Sequence, residues 1–268
     1  MDRTVMVNTK YYQQYGLGGW GEKPLPLNLD KTALVVMHAV YVGEQEDSPE
    51  YFTSVEYLQR CYEIAAKTFS PLLNAARQNN IKIYHIPMRS GYYESLPGYI
   101  RAVNAAEPVV SPQHVATHDD VLRSLYAQRA DLVHGAGEGT YAAIAKAKAL
   151  SDQRYVNFIE SARPQGIEPV AVNTEQLAAV AVEDSVNHLI YMGFAVDGCL
   201  LVSPGGMVDM ARRRFMCSVV SDAVTAIENK ESRDTLAHTQ MGLWRVGSQY
   251  GFVYDSSDLI KAFKKVDK

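Results

Sequence analysis

The stretch HLIYMGFAVDGCLL, residues 188–201, carries most of the information about the fold. Its first half is apolar without alternation, which is typical of a strand buried on both faces of a parallel sheet. The tight turn Asp197-Gly198 follows, and a helix is predicted to begin near Cys199. Ligands of open parallel sheets bind beyond the carboxyl ends of the strands, so this stretch predicts a site around Cys199.

Strands and helices alternate on both sides of this stretch. Apolar runs predict strands over residues 32–37, 81–86, 168–173, 187–193, 216–221 and 251–254. Apolar residues at helical spacing predict helices over residues 52–79, 119–129, 174–185, 231–245 and 256–265. This order predicts an α/β fold, a three-layer α/β/α sandwich around a central parallel sheet of about five or six strands.

The chain divides into two parts by composition. Residues 1–30 are rich in Tyr, Gly and Pro and show no helical or strand period. We therefore expect an N-terminal extension that packs over the domain or over a neighbouring subunit. Residues 31–268 predict a single domain, with an insertion at about 88–165 that shapes the mouth of a pocket.

Composition excludes several classes of protein. Of the 268 residues, 47% are hydrophobic and 21% are charged, which is ordinary for a globular chain. The net charge of −4 provides no electrostatic attraction to the phosphate backbone of a nucleic acid. No apolar window reaches the ~18 residues that span a bilayer, and the N-terminus lacks a secretory core. We expect a cytoplasmic protein without nucleic-acid or membrane partners.

The three cysteines are odd in number and show no CxxC spacing, so neither a disulfide framework nor a cysteine zinc site is predicted. Cys61 and Cys217 fall inside a predicted helix and strand and are interpreted as inert core. Cys199 leaves two interpretations open. At a helix N-terminus its thiolate is favoured and nearby N–H groups can hold an oxyanion; equally, free cysteines are among the most buried residues.

Three segments resemble one family. TALVVMHAVYVG (32–43) looks like its first strand, HLIYMGFAVDGCLL (188–201) like its nucleophile turn, and the order of elements from Arg212 to Val253 like its tail. The chain resembles the isochorismatase-like cysteine hydrolases, which include nicotinamidases, N-carbamoylsarcosine amidases and ureidoacrylate hydrolases, over about residues 30–87 and 166–262. The resemblance implies hydrolysis of a C–N bond in a small non-peptide amide, no organic cofactor, and a homodimer or homotetramer.

The catalytic positions depart from the family pattern. The family triad is an Asp after strand one, a Lys after strand three and the Cys, which Cys199 matches. His38 stands at the Asp position and Asn173 falls near the Lys position. One hypothesis is replacement, with His38 as general base and Asn173 orienting or stabilising it, as in Cys–His–Asn sets elsewhere. The alternative is a catalytically degenerate member that acts as a small-molecule binding or assembly protein.

The resemblance also implies a non-proline cis peptide before the nucleophile. By the match it is expected at Ala195–Val196, with the oxyanion held by the N–H groups of Val196 and Cys199. Such a bond is rare outside X–Pro peptides.

The substrate and metal predictions are weaker. Tyr41, Arg89 and Phe194 lie near predicted strand ends and are candidates for contacts with a small planar or carboxylated substrate. The stretch His114–Asp120 is the nearest match to the metal-binding stretch of nicotinamidases. It lies in the unmatched insertion and is interpreted as a loop before a capped helix. We therefore predict no metal site.

Overall fold

The computed structural model describes residues 3–16, 18–88, 91–108, 117, 119–135 and 137–266. Its strands are β1 (Thr4–Gln13), β2 (Gly19–Asn28), β3 (Thr32–Met37), β4 (Val40–Tyr41), β5 (Lys82–Ile86), β6 (Asn157–Phe158), β7 (His188–Phe194), β8 (Met216–Thr225) and β9 (Val253–Tyr254). Its α-helices are α1 (Pro49–Ser54), α2 (Leu58–Ile64), α3 (Ser70–Gln78), α4 (Pro97–Ala105), α5 (Asp120–Arg129), α6 (Tyr141–Tyr155), α7 (Thr174–Glu183), α8 (Cys199–Val202), α9 (Met207–Arg212), α10 (Ala237–Gln249) and α11 (Ser256–Phe263). None of the helices in these ranges is long and apolar enough to cross a membrane.

The central sheet has the strand order β2-β1-β9-β8-β7-β3-β5. The strands from β9 to β5 are parallel, whereas β1 runs antiparallel to β9 and β2 antiparallel to β1. All six residues of β3 are buried, as its unalternating apolar run predicts. The predicted α/β fold is confirmed, and its sheet is mixed at one edge.

Helices cover both faces of the sheet. Leu34 and Val36 of β3 point to a core shared with α2, α3 and α11. Val35 of β3 and Tyr191 of β7 point to a second core shared with α7, α9 and α10. Alternate residues of one strand thus enter opposite cores, which makes three layers.

The N-terminal segment, in which the sequence shows no strand period, forms a hairpin within this sheet. β1 and β2 pair along their whole length, and Lys10 of β1 pairs with Val253 of β9. Because β2 contains two prolines, its sequence did not predict a strand. Pro24 and Pro26 are tolerated there because β2 is the edge strand, and prolines at an edge also block further strand pairing.

Two other predicted elements differ. The strand expected over 168–173 is reduced to one bridge. In it the backbone N–H of His85 donates to the carbonyl of Pro169, and the carbonyl of His85 accepts from the N–H of Ala171. The chain turns into α7 at Asn173, which leaves no length for a longer ladder. The helix predicted over 52–79 is interrupted at residues 55–57 and continues through a π-helical turn at residues 65–69.

The helix predicted to begin at residue 231 begins at Ala237 instead. Leu236 before it has a positive φ of 52° and no side-chain cap. The buried carboxylate of Glu228 accepts from the N–H groups of His238 and Thr239, at 3.1 and 2.8 Å. A distant carboxylate therefore caps this helix, which local sequence does not reveal.

Candidate active site

His38 is the first residue after β3, where the sequence places a catalytic group. Its backbone N–H donates to the carbonyl of Ile86 at 2.8 Å, and its φ is 54°. Its Nδ1 is buried and has no hydrogen-bond partner in the part of the chain that the structure describes. Burial lowers the pKa of His38 to about 4, so the imidazole is neutral at pH 7.

His38 lines a cavity of about 30 Å³, which we call the strand-end cavity. Its other lining residues are Val40, Val42, Tyr51, Val55, Tyr57, Leu58, Cys61, Met88 and Phe194. Pockets for small molecules usually measure roughly 300–1,000 Å³. The strand-end cavity is therefore too small, as it stands, to hold a small-molecule substrate.

The nucleophile turn differs from the prediction in two ways. The cis peptide is Phe194–Ala195, one bond before the predicted Ala195–Val196, so that placement is wrong. The N–H of Val196 donates to the carbonyl of Thr225 at 3.0 Å and is not available to an oxyanion. Among the described residues, no hydrogen bond is present for the N–H groups of Ala195 and Cys199, which makes this pair a candidate in place of the predicted one.

Close packing holds the turn in place. Gly193 has a φ of 118°, and a Cβ there would overlap the carbonyl oxygen of Met37 in β3. The carbonyl of Ala195 accepts from the N–H groups of Gly198 and Leu200, at 3.2 and 3.0 Å. These contacts fix the direction in which the two unpartnered N–H groups point.

A polar network also supports the turn, and the sequence did not predict it. Arg60 donates to the hydroxyl of Thr225 at 3.1 Å, next to the carbonyl that Val196 bonds. The hydroxyl of Thr239 accepts from the N–H of Ala226 at 2.9 Å and donates to Glu228 at 2.8 Å. Because its members come from a helix, a strand end and a second helix, no local pattern marks this network.

Cys199 is a free, partly buried thiol at the start of α8. This helix has only four residues, so few peptide dipoles add up at its N-terminus. The predicted stabilisation of the thiolate by the helix dipole is therefore small. In the described residues no hydrogen bond joins Cys199 to His38. The cysteine that lines the cavity of His38 is Cys61, which the sequence assigned to inert core.

Asn173 is the N-cap of α7. Its side-chain oxygen accepts from the N–H of Gln176 at 2.9 Å. No hydrogen bond between Asn173 and His38 is present among the described residues. Asn is one of the strongest N-cap residues, and this preference explains its position without a catalytic role.

Replacing Asn173 with alanine is expected to cost about 1 kcal/mol of stability, because the N–H of Gln176 loses its cap. The alkylation rate of Cys199 should stay unchanged. Urea denaturation and peptide mass spectrometry measure the two effects. Asn173→Asp is the matched control, since Asp also caps helices. If the alkylation of Cys199 is slower in Asn173→Ala while Asn173→Asp keeps its stability, the result would support the orienting role of Asn173 instead.

The weaker predictions have mixed outcomes. Phe194 lines the strand-end cavity and stacks on Phe69, with ring centroids 5.7 Å apart. Tyr41 lies outside that cavity; its hydroxyl donates to Glu44. Arg89 and the histidines of the 114–120 stretch lie outside the described residues. In the described part of the chain, no three His, Cys, Asp or Glu side chains form a group that can hold a metal.

Comparisons with known proteins give likenesses of fold. No protein-family model and no curated protein matches the sequence. A cysteine hydrolase from Pseudomonas syringae matches with 16% identity and a TM-score of 0.46, over 90% of this chain and 95% of that chain. An isochorismatase family protein from Desulfovibrio vulgaris matches with 14% identity and a TM-score of 0.48, over 88% and 99%. The MAR1 ribonuclease from Caenorhabditis elegans matches with 12% identity and a TM-score of 0.40, over 88% and 83%. At these values none of them assigns an activity to this chain.

Proposed function

We propose that this chain is a cysteine hydrolase that cleaves a C–N bond of a small non-peptide amide. One observation carries the proposal: the thiol of Cys199 shares a turn with two N–H groups, those of Ala195 and Cys199, that have no partner in the described residues. The turn lies at the carboxyl end of β7, beside the end of β3. A nucleophile next to unpartnered donors is the arrangement that acyl transfer requires.

The reaction has two steps. The sulfur of Cys199 attacks the amide carbon, and the N–H groups of Ala195 and Cys199 donate to the oxygen that becomes negative. The C–N bond then breaks, the amine leaves with the thiol proton, and a thioester remains. Water hydrolyses the thioester to the acid and returns the thiol. His38, a neutral imidazole, is the group proposed to carry the proton between sulfur, amine and water.

The second candidate is a binding or assembly protein without turnover. The small volume of the strand-end cavity favours the absence of turnover, because about 30 Å³ leaves no room for an amide substrate. The use of Asn173 as a helix cap also favours it. The two candidates differ in the reactivity of Cys199.

The deciding experiment is the alkylation rate of each cysteine with iodoacetamide against pH, read by peptide mass spectrometry. We expect Cys199 to react far faster than Cys61 and Cys217, because it is partly exposed and those two are buried. Burial also raises the pKa of the Cys217 thiol to about 12 and that of Cys61 well above its usual range.

His38→Asn is the matched variant, because Asn tolerates a positive φ. Under the hydrolase proposal this variant slows Cys199 at least about tenfold near neutral pH, by removal of the base. A Cys199 that reacts like a free thiol in both proteins would support the binding candidate instead.

A further inference from the structure

Three of the side chains that line the strand-end cavity are of types that can bind a metal, and they are far apart in sequence. His38 follows β3, Cys61 lies in α2 and Met88 follows β5, and all three line this cavity. An imidazole nitrogen, a thiol and a thioether form a soft ligand set. Such sets select Cu(I) over the harder divalent ions.

Two of these side chains present buried donor atoms, those of His38 and Cys61. The Nδ1 of His38 is buried and makes no hydrogen bond. The thiol of Cys61 is buried and forms no disulfide. A buried nitrogen without a partner is costly, because it has lost its water and gained nothing in return. A metal ion bound to it would remove that cost.

The volume of the cavity and its lack of charge narrow the choice of ligand. A space of about 30 Å³ is too small for an organic substrate and large enough for a single ion. No Asp, Glu, Lys or Arg is among the described residues that line it. A monovalent cation with one thiolate is neutral overall, so its burial is tolerated. A divalent ion would keep a net positive charge in an apolar surrounding, at a high desolvation cost.

The neutral state of His38 is consistent with this role. Burial lowers the pKa of His38 to about 4, so its nitrogen is unprotonated at pH 7 and can act as a ligand. The backbone of His38 is held at the end of β3 by the bond from its backbone N–H to the carbonyl of Ile86. Met88 is 42% exposed, so it is the ligand by which an ion can enter.

We propose that the strand-end cavity binds one Cu(I) ion through His38, Cys61 and Met88. Binding forms a copper–sulfur bond at Cys61 and releases its thiol proton to solvent, with no change in the oxidation state of copper. The site does not depend on turnover by Cys199. If the chain is a hydrolase, copper at His38 occupies the proposed base and inhibits the enzyme.

The test is titration of the reduced protein with Cu(I) under argon, in competition with a colorimetric Cu(I) chelator. We expect one ion per chain and an ultraviolet thiolate-to-copper absorption. Cys61→Ser and His38→Asn should each weaken binding at least tenfold. Cys199→Ser and Cys217→Ser are the matched controls, since neither residue lines the cavity, and both should bind as the unchanged protein does.

Met88→Leu tests the copper site even if Cys61→Ser and His38→Asn, which change buried residues, fold poorly. It should weaken binding several-fold while the thermal midpoint stays the same, because Leu replaces Met with little change in volume. Binding that survives in both Cys61→Ser and Met88→Leu, or that is lost in Cys199→Ser, would overturn the proposal. So would an affinity for Zn²⁺ that equals the affinity for Cu(I). None of these readouts measures hydrolysis, so the proposed function can fail while the copper site stands.

Discussion

Cys199→Ala is expected to reduce kcat/KM for hydrolysis of small amides by at least ~10³-fold, because the nucleophile that forms the thioester is lost. The measurement is release of ammonia or amine from a panel of small non-peptide amides. The fold should be little affected, since Cys199 is partly buried at the start of a four-residue helix. Its thermal midpoint should lie within a few degrees of that of the unchanged protein.

Cys217→Ala is the control for this result. Cys217 is fully buried in β8, on the side of the second core, and has no place in the proposed reaction. It should lose stability, by an amount typical of a small core truncation, and keep its kcat. Equal rates in Cys199→Ala and in the unchanged protein would exclude Cys199 as the nucleophile.

Glu168→Gln is expected to destabilise the fold by about 3 kcal/mol near neutral pH. Glu168 accepts two hydrogen bonds from Arg77, at 2.7 and 2.9 Å, and lies 2.9 Å from Nε2 of the buried His85. Glutamine keeps the shape and removes the charge, so the partly buried guanidinium loses its counter-ion. Urea denaturation at pH 7 measures the loss.

The effect of Glu168 depends on pH with a definite sign. Burial raises the pKa of this carboxyl, but hydrogen bonds from Arg77 and His85 outweigh it and lower the pKa from 4.5 to about 2. Because the folded pKa is depressed, the stabilisation is fully present above the unfolded pKa, near 4.5, and is lost as the pH falls toward 2. The difference between Glu168→Gln and the unchanged protein should therefore shrink between pH 5 and pH 2.

Glu160→Gln is the matched control. Glu160 pairs with Arg163 at 3.0 Å, but its side chain is 83% exposed, so water screens the pair. Exposed pairs are worth only ~0–1 kcal/mol. An equal loss in Glu160→Gln and Glu168→Gln, or a difference that stays constant from pH 7 to pH 3, would contradict the account of the buried group.

The candidate site could be predicted from the sequence only in part. Cys199 is recognisable because its strand, turn and helix are contiguous, and the structure places all three as expected. His38, which follows β3, and Cys61 of α2 line the same cavity, and nothing in either local pattern points to the other. The same is true of Glu228, which caps a helix that begins nine residues later.

Asn173 is a residue whose sequence position suits two roles. Its position after an apolar run suggested a strand end and hence a catalytic place, but the residues after it form a helix that needs a cap. The same residue type suits both roles, so the sequence alone could not separate them. Its contact with the N–H of Gln176 shows the capping role.

The α/β class and the parallel core follow from the sequence alone, because periodicity and burial are properties of contiguous residues. Leu34 and Val35 alternate into opposite cores simply by being neighbours in one strand. The tertiary structure decided the rest: the edge hairpin, the N–H groups of Ala195 and Cys199 that lack partners among the described residues, and the set of side chains that line the strand-end cavity. Each depends on distances between segments far apart in the chain, and those distances are set by packing of the whole domain rather than by any local preference.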